Sequence, residues 1–189
     1  MGLDSYLTKR HYVQNWDHNG PEGQHKITVK KGGKKHPYIN TEKISYIIEQ
    51  VGYWRKANCI HDWFVQNVQD GRDECQESYV ELSQLQELYD ACVLVRDNSK
   101  LVEGEIQNGY KFGENLEKVP IMEPGKTIVD PSVAKDILPT TAGFFFGSTD
   151  YDEYYMEDIL DTIKILEPEL KMEYENGFYQ PEYYYRASW

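Results

Sequence analysis

The segment ISYIIEQVGYWRKANCIHDWFVQNVQDG, residues 44–71, carries the strongest structural signal in this chain. When its residues are placed 100° apart, as on an α-helix, most of its apolar side chains fall on one broad arc. Asn40 or Thr41 could cap the N-terminus of such a helix, and the Asp70-Gly71 pair would end it. The pattern therefore predicts one long helix over residues 41–68.

Three polar or amphipathic side chains interrupt the apolar arc of this predicted helix. Trp54, Asn58 and His61 are spaced four and three residues apart, so they would be neighbours along one stripe, here called the polar seam. A buried His or Asn without a partner costs on the order of 1–3 kcal/mol, so each needs a specific hydrogen bond. The seam is either a core in which these bonds are made or the lining of a ligand pocket with Arg55 at its mouth. His61 has no second histidine at ligand spacing, so the sequence predicts no metal site.

Periodicity and turn residues place the other elements around that helix. Strands are predicted at 3–13, 77–82, 119–122 and 143–148, hairpins around Gly32-Gly33 and Asn176-Gly177, and shorter helices at 84–96 and 150–166, with Ser83 and Asp150 as caps and Pro168 as the exit of the last helix. Residues 97–139 contain several Gly and Pro, and we expect few regular elements there, in an excursion from the fold that is either functional or mobile. The elements together predict an α+β fold, a mainly antiparallel sheet with one long and two shorter helices, in a single domain over residues 1–189.

Charge is distributed unevenly along the chain, whose formal net charge is −12. Residues 1–43 hold eight Lys and Arg against four Asp and Glu, whereas residues 144–189 hold three against eleven. Direct binding of nucleic acid needs clustered cations, so the acidic bulk of the chain argues against it. An acidic surface suits attraction to a basic surface on a partner protein instead.

Several broad classes of protein do not fit the sequence. Every apolar run is far shorter than the roughly 18 residues that cross a bilayer, and the first residues lack a signal-peptide pattern. The 3 cysteines form no CxxC motif, and no GxSxG, HExxH or Walker motif occurs. We therefore expect a cytoplasmic protein with reduced thiols and without a membrane segment, a cofactor or a catalytic signature.

Two further places in the sequence could hold an anionic ligand. Lys9 and Arg10 lie in the basic N-terminal third, near aromatic residues that could stack on a base. Ser148 and Thr149 precede the last predicted helix, where backbone N–H groups face outward. Three acidic residues between positions 150 and 153 crowd that helix start, so an anion there would need a bridging cation.

Three segments of the chain resemble a known group of proteins. They are GLDSYLTKRHYVQNW (2–16), the segment 44–71 quoted above, and LPTTAGFFFGSTDYDEYYMEDILDTIKIL (138–166). These segments are similar to parts of a family of uncharacterised small proteins from tailed phages and prophages. The resemblance implies an accessory protein of phage origin that works inside the host cell, where small proteins of that kind often antagonise host defence.

Three hypotheses about the activity remain open at this point. The first is a non-enzymatic binder that inhibits a host protein, and it is favoured because acid–base catalysis needs a positioned reacting partner that the sequence does not show. The second is a protein that sequesters a nucleotide-like signalling ligand between the polar seam and the basic N-terminus. The third is a metal-dependent enzyme acting on a nucleotide, with His61 as acid or base and the carboxylates of 150–153 holding a cation. The closing segment YYYRASW, residues 183–189, would favour a homo-oligomer if it were exposed.

Overall fold

The computed structural model describes residues 2–113, 116–143, 146–173 and 180–189. Its strands are β1 (Asp4–Tyr12), β2 (Lys30–Lys31), β3 (Lys34–Lys35), β4 (Tyr46–Arg55), β5 (Glu77–Val80), β6 (Leu101–Phe112), β7 (Lys118–Ile128) and β8 (Glu182–Ser188). Its helices are α1 (Asn58–Asn67), α2 (Leu82–Asn98), α3 (Ser132–Ile137) and α4 (Glu153–Leu170). Helices and antiparallel sheets in one chain confirm the predicted α+β class.

A four-stranded antiparallel sheet in the order β4-β1-β8-β5 forms the centre of the fold. The last strand, β8, lies between β1 and β5, so the sheet is complete only when both ends of the chain have met. Alternation along β1 and β8 buries one face of the sheet, where Leu7 and Tyr185 enter the core. Ile60 of α1, Leu85 of α2 and Leu166 of α4 belong to the same core, so these helices cover that face.

The predicted helix over 41–68 is wrong in its first half, which forms strand β4, and right in its second half, which forms α1. The sequence of β4 is rich in β-branched and aromatic residues such as Ile47, Ile48 and Tyr53, which favour extended backbone. Pairing with β1 gives the backbone of β4 hydrogen-bond partners that lie far earlier in the chain. Helical spacing of apolar residues could not reveal these partners, so the periodicity was misleading here.

A sharp change of direction separates β4 from α1. Lys56 has a φ of 63°, in the left-handed region that residues other than glycine rarely adopt. Helix α1 then begins at Asn58, and positive φ angles at Asp70 (53°) and Gly71 (73°) reverse the chain beyond its end, as predicted. The side chain of Asn40 caps only a short 3-10 turn that precedes β4.

Residues 97–139 contain more regular structure than we expected. Strands β6 and β7 form a two-stranded antiparallel hairpin, and helix α3 follows it. The predicted strand at 119–122 is confirmed as part of β7. The rest of the hairpin was missed because a ribbon with polar residues on both faces has no apolar alternation, and Ile106 is the one residue of β6 that is buried.

The N-caps of two helices differ from the predicted ones by two residues each. Helix α2 begins with a capping box of Glu81 and Gln84 rather than with Ser83, and the N–H of Glu81 donates to the Gln84 side chain at 2.9 Å. Helix α4 is capped by Asp152 rather than by Asp150. Several polar residues lie at the start of both helices, and the sequence alone did not show which of them is the N-cap.

The remaining predictions concern turns and the C-terminal third. The hairpin turn at Gly32-Gly33 is confirmed, with positive φ at both glycines between β2 and β3. Helix α4 does not end before Pro168 but contains it in its last turn. No strand occurs among the described residues of 143–148, and Phe144 and Phe145 lie outside the described residues. The predicted turn at Asn176-Gly177 also lies outside them.

Candidate functional site

The polar seam predicted from the sequence is divided between two elements and is buried. Trp54 lies on β4 and is 3% exposed, whereas Asn58 and His61 lie on α1 and are 4% and 1% exposed. The Nε1 of Trp54 donates to Oγ1 of Thr162 at 2.9 Å. Arg55 points to the opposite face of the sheet, because successive side chains of a strand alternate. The structure therefore does not bring these four predicted residues together around one cavity.

His61 is a core histidine whose two ring nitrogens both have partners. Its Nδ1 lies 2.8 Å from the hydroxyl of Tyr185, and its Nε2 lies 3.0 Å from Oδ2 of Asp73. The Tyr185 hydroxyl donates to Oγ of Ser5 at 3.0 Å, and Trp189 donates to Oδ1 of Asp73 at 3.0 Å. This chain of hydrogen bonds ties α1 to β1, to β8 and to the C-terminus. Of the two interpretations of the seam, the enclosed core describes His61.

Asn58 fastens the segment that leads into α4. Its Nδ2 donates to the carbonyl oxygens of Phe146 at 3.1 Å and of Ser148 at 2.7 Å. Its Oδ1 accepts from the backbone N–H of Thr141 at 3.0 Å. Backbone groups in such a segment need partners when they are buried, and one amide side chain supplies three of them.

Lys9 is buried, although it lies in the basic part of the sequence. It is 3% exposed, and its Nζ donates to Oε2 of Glu169 at 2.9 Å. The hydroxyl of Tyr183 donates to the same carboxylate oxygen at 2.7 Å, and the Glu49 carboxylate lies 3.5 Å from Nζ. A buried charge needs such a partner, so Lys9 joins β1 to the end of α4 and is not presented to solvent.

Ser148 and Thr149 are exposed in the segment before α4. The Oγ of Ser148 accepts from the N–H of Asp150 at 3.1 Å, and the carbonyl of Thr149 accepts from the Thr140 hydroxyl at 2.9 Å. The first N–H groups of α4 are bonded to Asp152, so the protein's own carboxylate already occupies the helix start. Ser148 and Thr149 therefore lie at a helix N-terminus that is negatively charged.

Arg10 and Arg55 lie together on the face of the sheet that the helices do not cover, here called the open face. Strand pairing places the following residues on it: Asp4, Tyr6, Thr8, Arg10 and Tyr12 of β1, Tyr46, Ile48, Gln50, Tyr53 and Arg55 of β4, Glu77 and Tyr79 of β5, and Glu182, Tyr184 and Arg186 of β8. Tyrosine is the commonest residue among them, and three arginines stand beside three acidic residues. The open face is thus aromatic and nearly neutral, on a molecule that is acidic as a whole.

Side chains on the open face order one another. The guanidinium carbon of Arg10 lies 3.9 Å from the ring centroid of Tyr184, and Arg10 also forms an ion pair with Glu77 at 2.6 Å. The rings of Tyr6 and Tyr53 are 5.3 Å apart between centroids. These contacts restrict the rotamers of large side chains before any partner arrives, which lowers the entropy cost of binding.

Large side chains of the open face are nevertheless exposed to solvent. Tyr46 and Tyr53 are each 45% exposed, Tyr79 is 54% exposed and Ile48 is 57% exposed. Tyrosine and arginine are enriched at the energetic centres of protein interfaces. Contiguous exposed apolar surface of this kind marks an interaction site more often than scattered residues do. The open face therefore has the composition of a binding surface.

Two of the three cysteines are buried, whereas Cys75 is partly exposed. Cys59 and Cys92 are free cysteines in the core, and burial raises the pKa of both thiols. Thiols that stay protonated are poor nucleophiles. No group of three or more His, Cys, Asp or Glu among the described residues is arranged to hold a metal ion.

Comparison with known proteins does not assign this chain to a family. No protein family, curated protein or solved structure matches this chain. None of the helices within the described ranges is long and apolar enough to cross a membrane. A function therefore has to be argued from the open face and from the sequence resemblance.

Sequence reasoning named Arg10 and Arg55, each for a different site, and did not name the tyrosines beside them. A signal for the first strand was present, because Tyr6, Thr8 and Arg10 alternate with residues that a strand would bury. Alternation shows which residues of one strand share a face. The order of the four strands decides how those faces join, and no local pattern contains that order.

Proposed function

We propose that this chain is an accessory protein of tailed phages or prophages that acts by binding, and that it inhibits a host defence protein in the cytoplasm of the host cell. The observation that carries the proposal is the open face, an exposed aromatic surface on a sheet whose other face is packed. The phage context rests on the resemblance of segments 2–16, 44–71 and 138–166. A binding role is favoured over catalysis because His61, the one predicted acid or base, is enclosed.

The physical properties of the open face suit a protein partner. Tyrosine rings provide a large contact area for few rotatable bonds, so their immobilisation costs little entropy. The acidic bulk of the molecule would attract a partner whose rim is basic and would raise the association rate at low salt. Inhibition follows if the surface that the tyrosines cover is one that the host protein needs for its own activity.

A second candidate is a nucleotide-like ligand on the same face. The Arg10 guanidinium stacked on Tyr184 is the observation that favours it, since arginine and tyrosine can stack on a base. The Glu77 carboxylate already neutralises Arg10, which disfavours a phosphate there. A panel of linear and cyclic nucleotides tests this candidate: a rise in the melting temperature with any of them would support it, and no rise would remove it.

The proposed inhibition can be tested in bacterial cells that carry a phage-defence system. Cells expressing the wild-type chain should plate a restricted phage more efficiently than cells without it. The double variant Ile48→Lys/Tyr79→Lys puts two charges on the open face and should abolish the effect. The matched control Leu94→Lys/Val129→Lys also adds two charges at exposed apolar residues, but away from the open face, and should keep it.

Two results would contradict the proposal. One is equal plating with the open-face variant and the control, provided that both purified proteins fold, as exposed substitutions generally allow. The other is a wild-type dimer in sedimentation that the open-face variant converts to a monomer. That result would show that a second copy of this chain covers the open face.

A further inference from the structure

A cleft with a volume of about 450 Å³ lies where the base of the β6–β7 hairpin meets the start of α4. Ile106 and Met122 of the hairpin form its apolar side, and Tyr151 provides an aromatic ring on the other. Three carboxylates line it as well, those of Glu105, Asp150 and Asp152. The cleft shares no residue with the open face, but its lining includes Thr149 and two of the three acidic residues between positions 150 and 153.

The two walls of this cleft are held together by backbone contacts. The N–H of Ile128 donates to the carbonyl of Tyr151 at 2.9 Å, and Thr127 forms a β-bridge with Asp152. A Cβ placed on Gly125 would lie 2.5 Å from Cδ1 of Ile106, so the Ile106 side chain packs directly over this glycine. The cleft is therefore formed in the absence of any ligand.

Asp152 is the unusual residue in the wall. It is 1% exposed, and its Oδ1 accepts from the N–H groups of Tyr154 at 2.9 Å and Tyr155 at 3.0 Å. Its Oδ2 is buried and has no hydrogen-bond partner among the described residues. Burial raises the pKa of this carboxyl group, with a further contribution from Asp150. A buried carboxylate oxygen without a hydrogen-bond donor costs free energy, and a cationic donor bound in the cleft would satisfy it.

The charges around Asp152 select the kind of partner. Three carboxylates face one cation in the lining, Lys135, whose Nζ lies 5.7 Å from the ring centroid of Tyr151. An anion would be repelled by this set, whereas an ammonium or guanidinium group would gain both a carboxylate and an aromatic face. The side chains of Ile106 and Met122 suit the apolar stem that carries such a group.

We propose that this cleft binds a primary ammonium or guanidinium group on an apolar stem, with Oδ2 of Asp152 as its hydrogen-bond acceptor. A free polyamine and an arginine side chain of a peptide share this chemistry. Lys135 lies in the same lining, and its positive charge opposes that of the ligand. The site is independent of the open face, so the two can be tested separately.

Calorimetric titration of the full chain tests the site with two probes, spermidine and N-acetyl-arginine amide. At least one should bind, and N-acetyl-norleucine amide, which lacks the cation, should not. Asp152→Asn keeps an N-cap acceptor for α4 but removes the charge, so it should weaken binding by about tenfold. The control Asp136→Asn changes an exposed carboxylate outside the cleft and should leave the affinity within about twofold.

A variant that binds the probe more tightly than the wild type provides a further test, because damage to the fold would weaken binding. Lys135→Ala removes the opposing charge and should tighten binding by about threefold or more. If the wild type binds spermidine more tightly than the arginine amide, the site is assigned to a free polyamine. If it binds the arginine amide more tightly than spermidine, the site is assigned to a protein side chain. The proposal is overturned if neither probe binds at millimolar concentration, or if Asp152→Asn binds as well as the wild type.

Discussion

Asn58 illustrates the role of a polar residue in this core, because all three of its side-chain hydrogen bonds hold the segment that leads into α4. Asn58→Ala should lower the free energy of unfolding by about 2–4 kcal/mol, since it leaves buried backbone groups without partners. Asn67→Ala removes one exposed bond on the same helix and should cost less than about 1 kcal/mol. Urea denaturation of both variants measures the difference, and equal losses would contradict this account of Asn58.

Asp158 makes the stability of the protein depend on pH. Burial, with the neighbouring carboxylates of Asp161, Glu157 and Asp152, raises the pKa of Asp158 to about 7. Since this is above the unfolded value of about 3.9, the charged form is disfavoured in the folded protein, and the penalty grows as the pH rises from about 4 to about 7. The penalty is therefore absent in acid and complete above neutral pH.

The variant Asp158→Asn removes that penalty. Its gain in unfolding free energy over the wild type should be larger at pH 8 than at pH 5, by about 2–3 kcal/mol. The exposed carboxylate of Asp136 provides the control, and Asp136→Asn should show no such trend between the two pH values. Denaturation curves at both pH values test the prediction, and a gain for Asp158→Asn that does not change with pH would refute it.

Residue-level requirements could be predicted from the sequence, but their partners could not. The need of Asn58 and His61 for specific hydrogen bonds followed from their place among apolar residues. The groups that meet the need, Phe146 and Tyr185, lie 88 and 124 residues further along the chain. Lys9 was expected in a ligand site because it lies in the basic N-terminal third. Its actual partner, Glu169, is 160 residues further along the chain, so no local pattern could indicate that the two would be buried together.

At the scale of elements, the ion pair between Lys9 and Glu169 joins β1 to the end of α4. Lys9→Met should lower the free energy of unfolding by about 3–5 kcal/mol, because it leaves the Glu169 carboxylate buried without its cation. The double variant Lys9→Met/Glu169→Gln should recover a large part of that loss, since no uncompensated charge remains. Lys164→Met breaks an exposed pair with Asp161 and should cost less than about 1 kcal/mol.

Thermal or urea denaturation of these variants decides whether the pair acts in this way. If the double variant were as unstable as Lys9→Met, the loss would come from packing of the lysine stem and not from the stranded charge. If Lys164→Met were as damaging as Lys9→Met, burial of the ion pair would not be the cause.

The outer half of the β6–β7 hairpin contributes little to the core. Phe112 and Leu116 near its tip are 67% and 80% exposed. Replacing residues 107–122 by an Asn-Gly turn joins Ile106 to Glu123, which already face each other. The shortened protein should unfold cooperatively with a free energy within about 1 kcal/mol of the wild type. Unfolding is monitored by circular dichroism. If the shortened protein no longer unfolds cooperatively, the tip is part of the core.

The sequence predicted the kinds of element better than their limits. Helix α1 and the turn at Asp70-Gly71 followed from spacing and from turn residues, and so did helix α2. The first half of the predicted long helix failed because Tyr46 to Arg55 fits a helix and a strand almost equally well. Tertiary pairing with β1 decided between them, as it commonly does for short apolar stretches.

At the scale of the whole molecule, the open face differs in charge from the rest of the protein. The chain carries a net charge of −12, yet the open face balances its arginines with acidic residues and exposes its tyrosines. A nearly neutral aromatic surface on an acidic molecule fits the proposed binding of a protein partner. The composition predicted the acidic bulk, whereas the open face appears only once four strands from distant parts of the chain are aligned.

The central claim is that the open face binds a host protein, and affinity capture from bacterial lysate tests it most directly. Wild-type chain, Ile48→Lys/Tyr79→Lys and Leu94→Lys/Val129→Lys are used as parallel baits, and bound proteins are quantified by mass spectrometry. We predict one host protein that is retained by the wild type and the control at similar amounts and is lost from the open-face variant. Retention of the same proteins by all three baits would contradict the claim.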